Sequence, residues 1–182
     1  MNPVHTRLRS ILVVSAALMA LARGSDALAS ATATLDLEGL STRADHIVVG
    51  QVELMDSHFL APGSQRIVTD ATLVTERNVL GASTGSRFVV RRLGGEVGKV
   101  GQLVYSEASY FVGERVLLFA AERQGAFFAV GMAQGAVPIG DDEAGVTRVQ
   151  HTPTLPAGVV TGRRVDDVLD EVRASLDRNA RK

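Results

Sequence analysis

The stretch Glu114-Arg115-Val116-Leu117-Leu118-Phe119-Ala120-Ala121-Glu122-Arg123 sets an unbroken apolar centre between charged ends. A short continuous apolar run of this kind reads as a strand covered on both faces, as in a strand that closes a barrel. Gln124-Gly125 follows as a tight turn, and residues 126–134 (AFFAVGMAQ) read as the hairpin partner. A strand with no solvent face needs two separate apolar surfaces to meet it.

Residues 66–78 (RIVTDATLVTERN) are rich in Val, Ile and Thr and run to about twice the ordinary strand length of ~5–6 residues. A strand that long bends and serves two neighbours. Residues 46–54 (HIVVGQVEL) predict another strand, with Gly50 marking a bulge or sharp bend. Residues 87–93 predict a third, and 55–65 and 80–86 read as a loop and a turn. Residues 94–98 break the pattern, 102–106 read as a short strand, and 107–113 as a loop holding Tyr110 and Phe111. Residues 135–139 lead to the acidic Asp141, Asp142 and Glu143, and 146–150 predict a last short strand.

Two helices flank these strands. Residues 35–45 place Leu37, Leu40 and Ala44 at helical spacing. Residues 165–178 put Val165, Val168, Leu169, Val172 and Leu176 on one face. Asp166, Asp167 and Asp170 come early and Arg173 and Arg178 late, the order that suits the helix dipole. The predicted fold is mainly β: an antiparallel OB-like β-barrel with a short N-terminal helix and a C-terminal amphipathic helix. The expected organisation is a signal peptide over 1–29, a barrel domain over 30–150, a linker over 151–164 and a C-terminal helix over 165–182.

The N-terminus decides location. Arg7 and Arg9 precede a stretch from Ile11 to Ala22 in which only Ser15 is polar, and Ala27-Leu28-Ala29 then gives small residues at the first and third positions. A positive start, an apolar run of about this length and an A-x-A site make a cleavable secretory signal, with the cut expected between Ala29 and Ser30. The run is shorter than the ~20 residues that span a bilayer, so no lasting membrane insertion is expected after processing. The product is expected to be secreted or periplasmic.

Composition narrows the partners. The 182 residues carry a formal net charge of −1, without long blocks of like charge, and aromatics make up 4% with no Trp. Nucleic acid is therefore not an expected ligand: the electrostatic footprint and the stacking platform are both missing. Cysteine is absent, which removes disulfide staples, thiolate metal sites and thiol catalysis. Only Lys99 and Lys182 among the 19 basic residues are lysines, the bias of a GC-rich bacterial coding sequence.

Few constellations suggest chemistry. Gly81-Ala82-Ser83-Thr84-Gly85 matches G-x-S-x-G, and Asp141, Asp142 and His151 follow in the order a hydrolase triad uses. A nucleophile elbow needs a helix next, however, and Arg87-Phe88-Val89-Val90 reads as a strand, so the segment reads as a β-turn. Gly94-Gly95-Glu96-Val97-Gly98-Lys99 is one residue short of a phosphate loop and has Val100 in place of Ser or Thr, so it reads as a glycine-rich connection. His46, His58 and His151 are far apart and read as lone residues. Asp141, Asp142 and Glu143 lack calcium-loop spacing and read as a solvated loop. Asp45 and Glu114 read as caps or turn partners. No catalytic, cofactor or metal residue is assigned, and no cofactor is expected.

The order of elements resembles the netrin-like module, the OB-type barrel shared with the tissue inhibitors of metalloproteinases. Arg43-Ala44-Asp45-His46-Ile47-Val48-Val49-Gly50 is similar to that family's helix-to-strand junction. Residues 66–81 are similar to its long second strand, with Leu80 where Lys is usual. The Phe88-Val89-Val90 strand with its glycine loop, and Phe111-Val112-Gly113-Glu114 running into the apolar strand, complete the likeness over about 37–137. The resemblance implies a binding or inhibitory role toward an exported enzyme. Those inhibitors act through an N-terminal Cys, and no position here inherits that role. The expected function is a non-catalytic binding domain with a protein partner. The alternatives are a secreted serine hydrolase using Ser83 and a structural component of the cell envelope.

Overall fold

Helix α1 (Leu37–Arg43) begins where the Asp36 carboxylate accepts the Gly39 N–H at 2.7 Å. It satisfies one of the donors that a helix start leaves open. The structure, a computed structural model, describes residues 33–81 and 85–181. The expected signal segment with Ala29 and Ser30, and Ser83 of the expected turn, lie outside the described residues.

After α1 come nine strands: β1 (His46–Phe59), β2 (Ile67–Leu80), β3 (Arg87–Leu93), β4 (Gly95–Val97), β5 (Val100–Gln102), β6 (Arg115–Arg123), β7 (Ala126–Ala129), β8 (Ala136–Asp141) and β9 (Thr147–Val149). A 3-10 turn (Met132–Gly135) joins β7 to β8, and helix α2 (Val165–Asn179) ends the chain. The described part is thus mainly β with a helix at each end. In the seven-stranded sheet the order is β1-β2-β3-β7-β6-β8-β9, and β6 also pairs with β1. Hydrogen-bonded pairing therefore runs from β1 through β2, β3, β7 and β6 and back to β1. Only β3 with β7 is parallel, through Val90 opposite Phe127 and Arg91 opposite Phe128.

That circuit explains the doubly apolar β6. Val116, Leu118 and Ala120 join Val48, Val52, Ala71, Leu73, Phe88 and Val90 in one buried cluster, to which every strand of the circuit contributes. Tyr110 and Ala108, from the loop before β6, enter the same cluster. On the other face, Leu117, Phe119 and Ala121 meet Leu37 and Leu40 of α1 and Val165, Val168, Leu169 and Val172 of α2. Strand β6 is the wall between two cores.

The long strands carry the expected irregularity. The β1–β2 register shifts between Val49 and Gly50, where a Cβ on Gly50 would stand 2.9 Å from the Val74 carbonyl. Partner strands pass too closely for a side chain there.

Several boundaries differ from the sequence reading. Strand β1 continues through the expected loop to Phe59, because the β2 pairing extends to Phe59 opposite Ile67. The expected strand over 102–106 is instead β5, two residues earlier in its start, and it pairs with β4 inside the expected glycine break. Gly94 and Gly95 both have positive φ and admit the chain into this side hairpin. The expected long hairpin partner over 126–134 stops at Ala129. Gly131 at φ 65 turns the chain into the 3-10 segment, and β8 then returns along β6.

The segment over 151–164 is tied to the body of the fold. Asp36 bridges to Ala157 and Arg148 to Arg164, and Val159 is buried among the α2 residues. Asn179 of α2 donates to the Thr42 hydroxyl of α1 at 3.0 Å.

Candidate functional site

Among the described residues a groove of about 750 Å³ opens beside the start of β6. One side is the 106–114 segment before β6. The floor is the start of β6 with Ala136, Pro138 and Ile139 of β8, and the far side is residues 150–154. Its shape follows from the topology: β8 lies beside only the first half of β6, and the loop before β6 must climb over the end of the circuit to place Tyr110 inside. Ser106, at φ 67, turns this loop, and its carbonyl accepts the Ala133 N–H at 3.0 Å.

Burial of Tyr110 leaves its neighbours outside. Phe111 is 67% exposed and Val112 66%, and both lie on the approach to β6 beside the groove. Leu103 and Tyr105, on the same connection, are more exposed still. Isolated exposed apolar residues are ordinary; here four fall on one connection, and Phe111 among them lines the groove.

Four ionisable side chains line the groove: Glu107, Glu114, Arg115 and His151. Arg115 is fully engaged. Its guanidinium donates to Glu76 at 2.9 Å and to Asp141 at 2.9 Å, and both partners lie on other strands. Desolvation pushes the carboxyl of Glu107 above its usual range, against the opposing pull of the Leu93 and Ala108 N–H groups and of Arg92. Desolvation likewise raises Glu114, whose Oε2 accepts the Phe111 N–H at 3.1 Å. The Tyr110 hydroxyl is buried without a hydrogen-bond partner. Burial, with Glu107 next in weight, holds its ionisation far above the ordinary range.

A raised carboxyl pKa gives a testable sign. Ionising Glu114 is harder in the folded than in the unfolded chain, so the penalty is present above the folded pKa and vanishes below the unfolded value near ~4.3. Glu114→Gln is expected to raise the melting temperature at about pH 7 and to leave it unchanged at about pH 3.5. Thermal melts at the two pH values check this; a fall at neutral pH would show that the charge is stabilising.

The other residues singled out from sequence do not converge. His46, at the start of β1, packs its ring against Phe127 and Phe88 at 4.6 and 5.1 Å. His58 lies 3.8 Å from Asp56 and 3.9 Å from Asp70, away from His151 on the groove. Asp142 is a turn partner that accepts the Ala144 and Val146 N–H groups, and Asp141 is held by Thr147 and Arg115, so this acidic run is more ordered than a solvated loop. Asp45 accepts the N–H of Glu122 on β6 at 2.8 Å, a long-range bond and not the cap or turn bond expected of it. Among the described residues no three metal-ligating side chains stand together. Nor does any described helix have the length and apolarity to cross a membrane.

Sequence reading passed over Glu107, Phe111 and Val112 as members of a loop. The available signal was the pair Tyr110-Phe111 in an otherwise aromatic-poor chain. No family model, curated protein or solved structure matches this chain.

Proposed function

We propose that this chain is an exported, non-catalytic binding domain that holds a protein partner in the groove between the 106–114 loop and β8. The observation that carries the reading is the exposed Phe111 and Val112 beside a concavity whose floor is rigid β-structure. Apolar side chains kept in water cost free energy that a partner recovers by covering them. The polar groups nearby are spent on scaffolding, since Arg115 ties three strands and Glu114 closes its own turn.

The same reading takes the five-strand circuit as an OB-type barrel. Its support is the return of β6 to β1, the parallel β3–β7 contact and the single cluster fed by all five strands. The netrin-like resemblance adds a class of partner, an exported enzyme. Export itself rests on the charged start, apolar run and A-x-A site of residues 1–29.

Two measurements test this. N-terminal sequencing of the exported protein is expected to read from Ser30, and an intact Met1 would contradict export by cleavage. Sensor-immobilised protein is expected to retain a component of the exported fraction of its own cells. The Phe111→Ser, Val112→Ser double variant is expected to lose at least about tenfold in affinity, the scale of uncovering two apolar contacts. Equal retention by that variant, with an unchanged melting temperature, would remove the groove from the function.

A further inference from the structure

We propose that the free edge of β1 from Leu54 to Phe59 is a self-association surface, on which a second copy of this chain lays its own β1 antiparallel about a two-fold axis at Ser57. The edge is separate from the groove, whose lining contains no residue of β1.

Strand β1 has two pairing edges. One is filled by β2 from Ile47 to Phe59, and the other by β6 only from His46 to Gln51. Val52 then bonds Gly113 and Glu114, and beyond it no described strand pairs with this second edge. The β1–β2 ladder shows which groups are left over. Leu60 donates to the Arg66 carbonyl at 2.8 Å, whereas Ile67 turns its N–H to Gln102 and its carbonyl to Gly94. Phe59 and Ile67 are therefore a non-hydrogen-bonded pair. The register runs without a shift from Leu54 to Phe59, so Ser57 with Thr69 and Met55 with Ala71 are such pairs too. The 2.9 Å contact between the Ser57 and Thr69 hydroxyls fits their closer spacing. Met55, Ser57 and Phe59 thus aim N–H and C=O away from β2, in a row. An unpaired row of this kind is a template for another strand.

The edge is complementary to itself. In a two-fold antiparallel pair the outward residues must meet outward residues, so the axis has to pass through a residue and not between two. Centred on Ser57, Leu54 faces Leu60 of the second copy, Met55 faces Phe59 and Asp56 faces His58, each contact occurring twice. Leu54 is 56% exposed, Leu60 45% and Phe59 39%, so apolar surface now in water would be covered. Asp56 and His58 approach each other only to 3.8 Å within one chain and share no hydrogen bond there, while Asp70 beside His58 is already held by Arg91. Neighbouring centres fit worse. An axis at Asp56 sets that carboxylate against its own copy, and one at His58 sets two imidazoles together and runs Leu54 past the end of the strand. Opposite charges directly across a ladder stabilise it and like charges destabilise it.

Sedimentation velocity of the purified protein is expected to pass from monomer to dimer between about 1 μM and about 1 mM, the range of a weak edge contact. Asp56→Lys and Leu54→Lys, each counted twice by the symmetry, are each expected to weaken the dimer at least about tenfold at an unchanged melting temperature. Phe111→Ser, in the groove, is expected to leave it intact. Mixed labelled and unlabelled chains are expected to show an intermolecular NMR contact between the Hα protons of Asp56 and His58, which this register brings face to face in a non-hydrogen-bonded pair. A monomer throughout would overturn the inference, whether or not another protein's strand uses the edge. So would a dimer that withstands both Lys variants, or one that Phe111→Ser dissolves. Should a Lys variant fail to fold, the Hα contact in the wild-type dimer decides, and its absence there would overturn the inference.

Discussion

Leu118→Ala is expected to lower the stability of the folded chain by about 2–5 kcal/mol, the range for emptying a fully buried leucine site. Leu118 has no exposed surface and sits midway along β6, between Val116 and Ala120 in the cluster shared by all five strands of the circuit. Its backbone pairs with Val48 on one side and Ala136 on the other. A strand fixed by two neighbours cannot slide to fill the space, so most of the cavity should persist. Urea unfolding of the variant measures the loss. A change below about 0.5 kcal/mol, the scale of an ordinary surface substitution, would mean that β6 has a solvent face.

The second large effect is expected at Gly135. A Cβ there would lie 2.7 Å from the Val130 nitrogen and 2.9 Å from the Phe119 carbonyl oxygen, and closer still to the Val130 carbonyl. All three atoms are backbone, so no rotamer change can relieve the crowding. Gly135→Ala is expected to cost about 1–3 kcal/mol, the usual penalty for forcing extra volume into a packed site. Gly125→Ala is the useful comparison, because its Cβ would meet nothing within 4 Å and only its positive φ of 77° resists the change. Parallel melts of the two variants distinguish crowding from backbone preference. A smaller loss at Gly135 than at Gly125 would contradict the close approach of the 3-10 segment to β6.

The sequence was most informative where one physical cause dominated. The apolar run of β6, the Val/Ile/Thr-rich β2 and the five-residue apolar face of α2 each follow from burial alone, and their periodicity is visible without neighbours. Gly50 was legible as a bulge because a strand rarely keeps glycine unless another backbone comes close. The β4–β5 hairpin was hidden because its glycines at 94, 95 and 98 look like a break. Only the positive φ values and the pairing of Glu96 with Gly101 reveal a fold-back. Strand β8 was hidden for a related reason: Ala136-Val137-Pro138-Ile139-Gly140 contains Pro and two weak strand formers, and β6 supplies the pairing that overrides them.

The groove was less legible than the fold. Its carboxylates come from residues seven apart in an irregular loop, and part of its floor comes from β8, which starts twenty-two residues after Glu114. No spacing rule joins such positions. Phe111 differs from Tyr110 only in which way the loop turns it, one residue into the core and the next into water. The inverse case is Gly94 to Lys99, where a phosphate-loop likeness in one dimension is a small side hairpin in three.

The most direct test of the proposal that the groove seats a protein partner is site-specific photo-crosslinking in the cells that make the protein. A photoreactive phenylalanine analogue is placed at Phe111 in one variant and at Asp167, on the exposed side of α2, in another. The expected result is a discrete covalent adduct of higher mass from position 111 and none from position 167. An adduct from position 167 with none from position 111 would contradict it.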